Sequence, residues 1–117
     1  MGWARGNSAS IAFSFTQPSA TMILEIADIR IHPGQQAAFE AAIQLGIATV
    51  ASKAQGFVRA QVEHGIESPE RYVLMIEWET LADHTVSFRG SELFNAWRAI
   101  VGPFFASPPT VEHFNRI

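Results

Sequence analysis

The sequence predicts an α+β fold. Strands and helices follow in the order β-α-β-β-α-β, the ferredoxin-like arrangement of a four-stranded antiparallel sheet with both helices on one face. Three observations predict it. "RYVLMIEWE", residues 71–79, alternates strictly, with Tyr72, Leu74, Ile76 and Trp78 on one side and Val73 and Met75 on the other. "GIESPE", a turn containing Pro69, joins that run to "FVRAQVEH", residues 57–64, which makes an antiparallel hairpin. On each side of the hairpin lies a stretch with apolar residues at helical spacing, and each end of the order is closed by a strand-like run.

Residues 1–21, "MGWARGNSASIAFSFTQPSAT", are rich in Ser, Ala and Gly and lack a clean period, so they are read as a flexible extension of a domain at 22–117. They make a weak secretory signal: Arg5 is the one early cation, and Ser14, Thr16, Gln17 and Pro18 break the apolar stretch. Phe13 and Phe15 alternate, so a short edge strand is the second reading there. "MILEIADIRI", residues 22–31, reads as the first strand and "HPG" ends it. From Gln35 to Lys53 a helix is expected, because Phe39, Ile43, Ile47, Val50 and Ala54 recur at helical spacing, and Gly56 is placed to end it. Thr80 with Asp83 resembles a capping box for a short helix from Leu81, which Gly90 interrupts. Ser91 is a good N-cap for a second helical piece, with Leu93, Phe94, Trp97, Ile100 and Val101 on one face. "GPFFASPP" is a loop and "TVEHFNR" a last short strand.

The sheet is apolar on both sides, since Leu24 and Ile26 oppose Ile23, Ala27 and Ile29. Right-handed crossovers put both helices on one side. Something must cover the other, and a second copy of the chain is the economical answer. The bulk numbers agree with a small domain that buries extra surface: 117 residues, 48% hydrophobic, only 16% charged. The net charge is −3 and Lys53 is the single lysine, so nucleic acid and anionic membranes are poor partners. No apolar run approaches the ~20 residues of a membrane span. The absence of cysteine excludes disulfides, zinc–thiolate sites and thiolate catalysis.

Two histidines stand out. His84 lies one turn into its helix with Phe88 at i+4, and His113 shares a strand face with Val111 and Asn115. Histidine suits a base because its reference pKa of ~6.5 is near working pH. The plainer role for each is a hydrogen bond to a neighbouring loop or subunit. His32 belongs to a turn beside Pro33, and His64 to a strand end at the surface or an interface. The glycines form neither GxGxxG nor a P-loop. Two histidines are too few to define a metal site, and Glu112 points to the strand face opposite His113.

"HPGQQAAFEAAI", "GIESPERYVLMIEW", "LADHTVSFRGSELFNAWR" and "PTVEHF" together resemble the antibiotic biosynthesis monooxygenase (ABM) domain family, over residues 22–117. The resemblance implies a dimeric α+β barrel, in which two ferredoxin-like sheets face each other. It also implies a cytoplasmic oxygenase that works without metal, flavin or haem on an electron-rich aromatic or quinol. On that reading His84 is the base or anchor, His113 assists, Phe39, Phe88 and Trp97 shape the pocket, and Arg89 helps hold an anion, as Arg98 could. The plainer roles are core packing for Trp97 and Phe94 on their amphipathic helix, and salt bridges to Glu92 or another carboxylate for Arg89 and Arg98. One branch of the family degrades haem. Its asparagine, tryptophan and iron-binding histidine align with Ala27, Phe88 and Arg98, so that activity is disfavoured. The rival reading is a non-catalytic dimeric module that binds a small hydrophobic ligand. A cavity with a histidine directed into it favours the enzyme, and a cavity filled by Phe88, Phe94 and Trp97 favours the rival.

Overall fold

A computed structural model of the chain describes residues 22–117. The expectations of a flexible extension at 1–21, and of an edge strand at Phe13 and Phe15, fall outside the described residues. Strand β1 (Ile23–Arg30) is followed by helix α1 (Gln36–Thr49), then strands β2 (Phe57–His64) and β3 (Arg71–Trp78), helix α2 (Glu92–Val101) and strand β4 (Thr110–Asn115). All pairings are antiparallel, in the order β2-β3-β1-β4. This is the split β-α-β arrangement that the alternation and the hairpin predict.

Alternation decides what each strand buries. Along β1 the residues Ile23, Glu25, Ala27 and Ile29 are buried, while Leu24, Ile26 and Asp28 are half-buried on the other side. In register, Ile23 meets Trp78, Glu25 meets Ile76, Ala27 meets Leu74 and Ile29 meets Tyr72, so the four β3 residues expected on one face line the helix side. Phe39 and Ile43 of α1 seal that side from one end, with Phe39 against Tyr72 and Phe104. Gly46 lets α2 approach: a Cβ there would lie 3.0 Å from the Trp97 ring. Among the described residues no helix is long and apolar enough to cross a membrane.

Two boundaries differ from expectation. Helix α1 ends at Thr49, well before Gly56, and a 3₁₀ turn follows at Ala51–Lys53. The hydroxyls of Thr49 and Ser52 donate to the carbonyls of Leu45 and Ala48, at 2.7 and 2.8 Å, and so compete with helix propagation. Gly56 instead serves the turn into β2, at φ +79°, where a side chain would run into the Asp83 carboxylate. The second difference lies at Asp83–Phe88, which is wound as a π-helix, wider than the expected α-helical turn, with the Arg89 N–H reaching the His84 carbonyl at 3.2 Å. Thr80 does cap this segment, its Oγ1 accepting the Asp83 N–H at 3.1 Å, but the Asp83 carboxylate accepts from Gln55 at 2.9 Å and does not complete a capping box. Ser91 takes the extended backbone of an N-cap, yet its hydroxyl donates to the Phe88 carbonyl at 2.7 Å.

The face of the sheet away from the helices is apolar only in its middle. Leu24, Ile26, Val73 and Met75 form a half-buried stripe, extended by the exposed Phe114 opposite Leu24. Charged groups flank the stripe. Glu77 is held by Arg116 at 2.7 Å and Arg59 at 3.4 Å, and Asp28 by Arg71 at 3.0 Å.

Candidate functional site

Glu25 is a carboxylate at a buried strand position, 5% exposed, between Ile76 on β3 and His113 on β4. The Trp78 indole N–H donates to its Oε1 at 2.9 Å. The π-helical segment brings His84 over the same spot, 3% exposed, with its Nε2 3.4 Å from that oxygen. The other ring nitrogen, Nδ1, is 2.8 Å from Nε2 of His113. Three proton-carrying side chains from three elements thus stand in a row: Glu25, His84, His113. Trp78 stacks on His84 at 5.1 Å and 17°, and Phe88 closes on both rings.

Burial sets the charge of this row. It pushes the Glu25 carboxyl up to about 7, against the opposing pull of the Trp78 hydrogen bond and the Arg89 charge. It pushes His84 down to about 4, helped by Arg89 and His113. His113 is lowered as well, by burial first and Arg89 second. The 3.4 Å contact between Glu25 and His84 is therefore no ion pair at neutral pH, because the imidazole is uncharged there. The two groups can share protons along the row without a large change of charge. They do not form a metal site, since both His84 nitrogens are turned to neighbouring side chains, and among the described residues no group of three or more His, Cys, Asp or Glu could hold a metal ion.

The row ends at a cavity of about 1040 Å³ between the sheet, α2 and the loop before β4. Ala27, Leu74 and Ile76 are its floor, and Phe88, Phe94 and Trp97 line its helical side without filling it. Glu25, His84, Arg89, Asn95 and Arg98 supply polar atoms. Among the described residues no carboxylate lies within 4 Å of Arg89, and Arg98 rests over the Phe94 ring at 5.8 Å.

Of the residues singled out in the sequence, His84, Phe88, Arg89 and Trp97 meet at this cavity. His113 stands one hydrogen bond behind it. Phe39 does not reach it and packs in the helix–sheet core, fully buried. His64 lies elsewhere, stacked on Tyr72 and bonded to the Pro69 carbonyl at 2.8 Å. Glu25 is the member that sequence reasoning passed over. Its signal is parity, since it shares alternation with Ile23, Ala27 and Ile29.

The family model described as antibiotic biosynthesis monooxygenase matches residues 22–100. The uncharacterised protein YczJ of Bacillus subtilis (strain 168) is 36% identical over 96 residues, which span 82% of this chain and all of that protein. A crystal structure from Bordetella bronchiseptica that carries the same family designation is 40% identical, covers 83% of this chain and 98% of its own, and superposes with a TM-score of 0.79. The fold is shared at 18% identity and a TM-score of 0.69 with SnoaB, a cofactor-independent oxygenase from Streptomyces nogalater, over 83% of this chain and 94% of that one.

Proposed function

The chain belongs to the antibiotic biosynthesis monooxygenase family, and from that premise we propose that it is a cofactor-independent monooxygenase acting on an electron-rich aromatic or quinol. The observation that carries this reading is the buried Glu25–His84–His113 row at the end of a roomy, mostly apolar cavity. Aromatic and aliphatic walls suit a flat apolar ligand, and a few convergent polar groups suit its orientation. SnoaB, of like fold, is an oxygenase that needs no cofactor.

The chemistry asks little of the protein. A phenolic O–H gives its proton to the row, in which His84 is the expected anchor and His113 its support. The electron-rich anion passes one electron to dioxygen, and the radical pair joins at a ring carbon as a peroxide. The peroxide takes a proton and the ring carbon loses its hydrogen. The O–O bond then breaks to leave a carbonyl and water. One oxygen atom enters the substrate, the other leaves as water, and the substrate supplies both hydrogens and all the electrons. Arg89 faces the anion and lowers the energy of its charge.

The test is oxygen uptake by purified protein offered a panel of quinols and polyphenols, with no metal or cofactor added. Consumption with one member of the panel, and a product heavier by one oxygen and lighter by two hydrogens, is the expected result. Tight binding across the panel with no oxygen consumed would favour the non-catalytic ligand-binding module instead.

A further inference from the structure

Histidine is the obvious base in this site, but the geometry gives it no free nitrogen. Nδ1 of His84 is engaged with His113 at 2.8 Å and Nε2 faces Glu25 at 3.4 Å. Glu25 is different. Its Oε1 is held by the Trp78 N–H and faces His84, while Glu25 itself lines the cavity, which leaves Oε2 as the acceptor for a ligand. Resting on the oxygenase reading only in that a phenolic ligand enters this cavity, we propose that Glu25 is the catalytic residue that takes the substrate proton. His84 and His113 are then positioning residues that pass it outward.

The proton balance is direct. The phenol O–H bond breaks, its proton goes to the Glu25 carboxylate, and the electron pair stays on the phenolate oxygen beside Arg89. The proton arrives on Oε2, so the carboxyl makes a half-turn that carries the protonated oxygen to the place Oε1 held beside His84, and from there it donates to Nε2 of His84. Nδ1 of His84 releases its own proton to Nε2 of His113. His113, half-buried on an edge strand, sheds the proton to solvent from its other nitrogen. Every titratable or charged group that faces Glu25 takes part: His84 and Arg89 from the π-helical segment and its end, and His113 from β4. Matching favours the carboxylate too. A base works best when its conjugate acid titrates near the working pH, as Glu25 does at about 7, whereas His84 at about 4 would hold a proton too weakly.

The experiment measures the protons exchanged when 4-nitrophenol binds anaerobically at about pH 8, where the free probe and Glu25 are both mostly ionised. Wild type is expected to take up close to one proton for each probe bound, because Glu25 and the phenolic oxygen then share one proton between them. Glu25→Gln keeps an oxygen for the Trp78 N–H and should bind the probe with almost no proton uptake. Equal uptake in both proteins overturns the role of Glu25 and leaves the oxygenase reading standing. Loss of binding in the variant also overturns it, because the carboxylate would then be holding the ligand. A probe that fails to bind the wild type overturns both readings. Should the Gln variant not fold, Glu25→Asp, which withdraws the carboxylate by one methylene, is expected to lower the uptake, and no change would overturn the proposal. Glu25-dependent proton uptake without oxygen consumption on any substrate would support this inference while sinking the oxygenase.

Discussion

Glu25 and His84 respond to pH in opposite senses. Burial raises the Glu25 carboxyl from 4.5 to about 7, so the folded chain holds that proton more tightly than the unfolded one. Its contribution is favourable below the ordinary carboxyl range and is lost as pH rises through 7. His84 moves from 6.5 to about 4, so its contribution is present above 6.5 and lost as pH falls toward 4. Glu25→Gln should remove the first effect alone. Relative to wild type it should gain about 1–3 kcal/mol between acid and mildly alkaline conditions, read from urea midpoints at pH 5 and pH 8. A difference that does not change with pH would mean that Glu25 titrates as an exposed carboxyl does. The two histidines were legible as candidates because they sit in regular elements. That they touch was not, because residues 29 apart meet only once β4 has paired beside β1. Glu25 was hidden by its setting in an isoleucine-rich strand, where a lone carboxylate is easily taken for the solvent side.

Strands were read closely because a period of two survives in sequence whatever packs on it. The β2 bounds inferred from the chain are those found, and β3 is one residue shorter. The π-helical turn was not readable. It depends on tertiary anchors, Asp83 tied to Gln55 and capped by Thr80, and no local pattern distinguishes it from an α-helix. Gly56 is the weak point of that anchoring. Gly56→Ala would place an L side chain at φ +79° and drive its methyl into the Asp83 carboxylate. A loss of about 2 kcal/mol or more is expected from backbone strain and the displaced hydrogen bond. A thermal melt checks it, and an unchanged Tm would show that Asp83 moves aside at no cost. Because His84 follows Asp83 directly, the same variant should also slow any oxygenase turnover.

For the molecule as a whole, the sheet face away from the helices remains the argument for a dimer. Burying the stripe of Leu24, Ile26, Val73 and Met75 against a second copy would contribute roughly 1.5–3 kcal/mol for each large side chain. The ion pairs of Glu77 and Asp28 beside the stripe narrow the apolar contact to its middle, which the alternation alone did not reveal. Met75→Asp should therefore convert a homodimer to monomer or aggregate in light scattering. A wild type that is monomeric at micromolar concentration would end the dimer proposal. The architecture was legible from element order, whereas the cavity was not, because it arises where α2 and the loop before β4 stand off from the floor at Ala27 and Leu74.

The place of Trp78 gives the protein an optical signal of its own. Its indole is fully buried, bonded to Glu25 through its N–H and stacked on His84. Indole emission is sensitive to the charge of a carboxyl on its N–H and is quenched by a protonated imidazole against its ring. With Trp3 and Trp97 replaced by phenylalanine, the remaining fluorescence should titrate with the Glu25 carboxyl, with a midpoint of about 7. In Glu25→Gln that step should vanish and only the quenching by His84 at lower pH should remain. The protonation of the site could then be followed by its own light, in real time and without any substrate in hand.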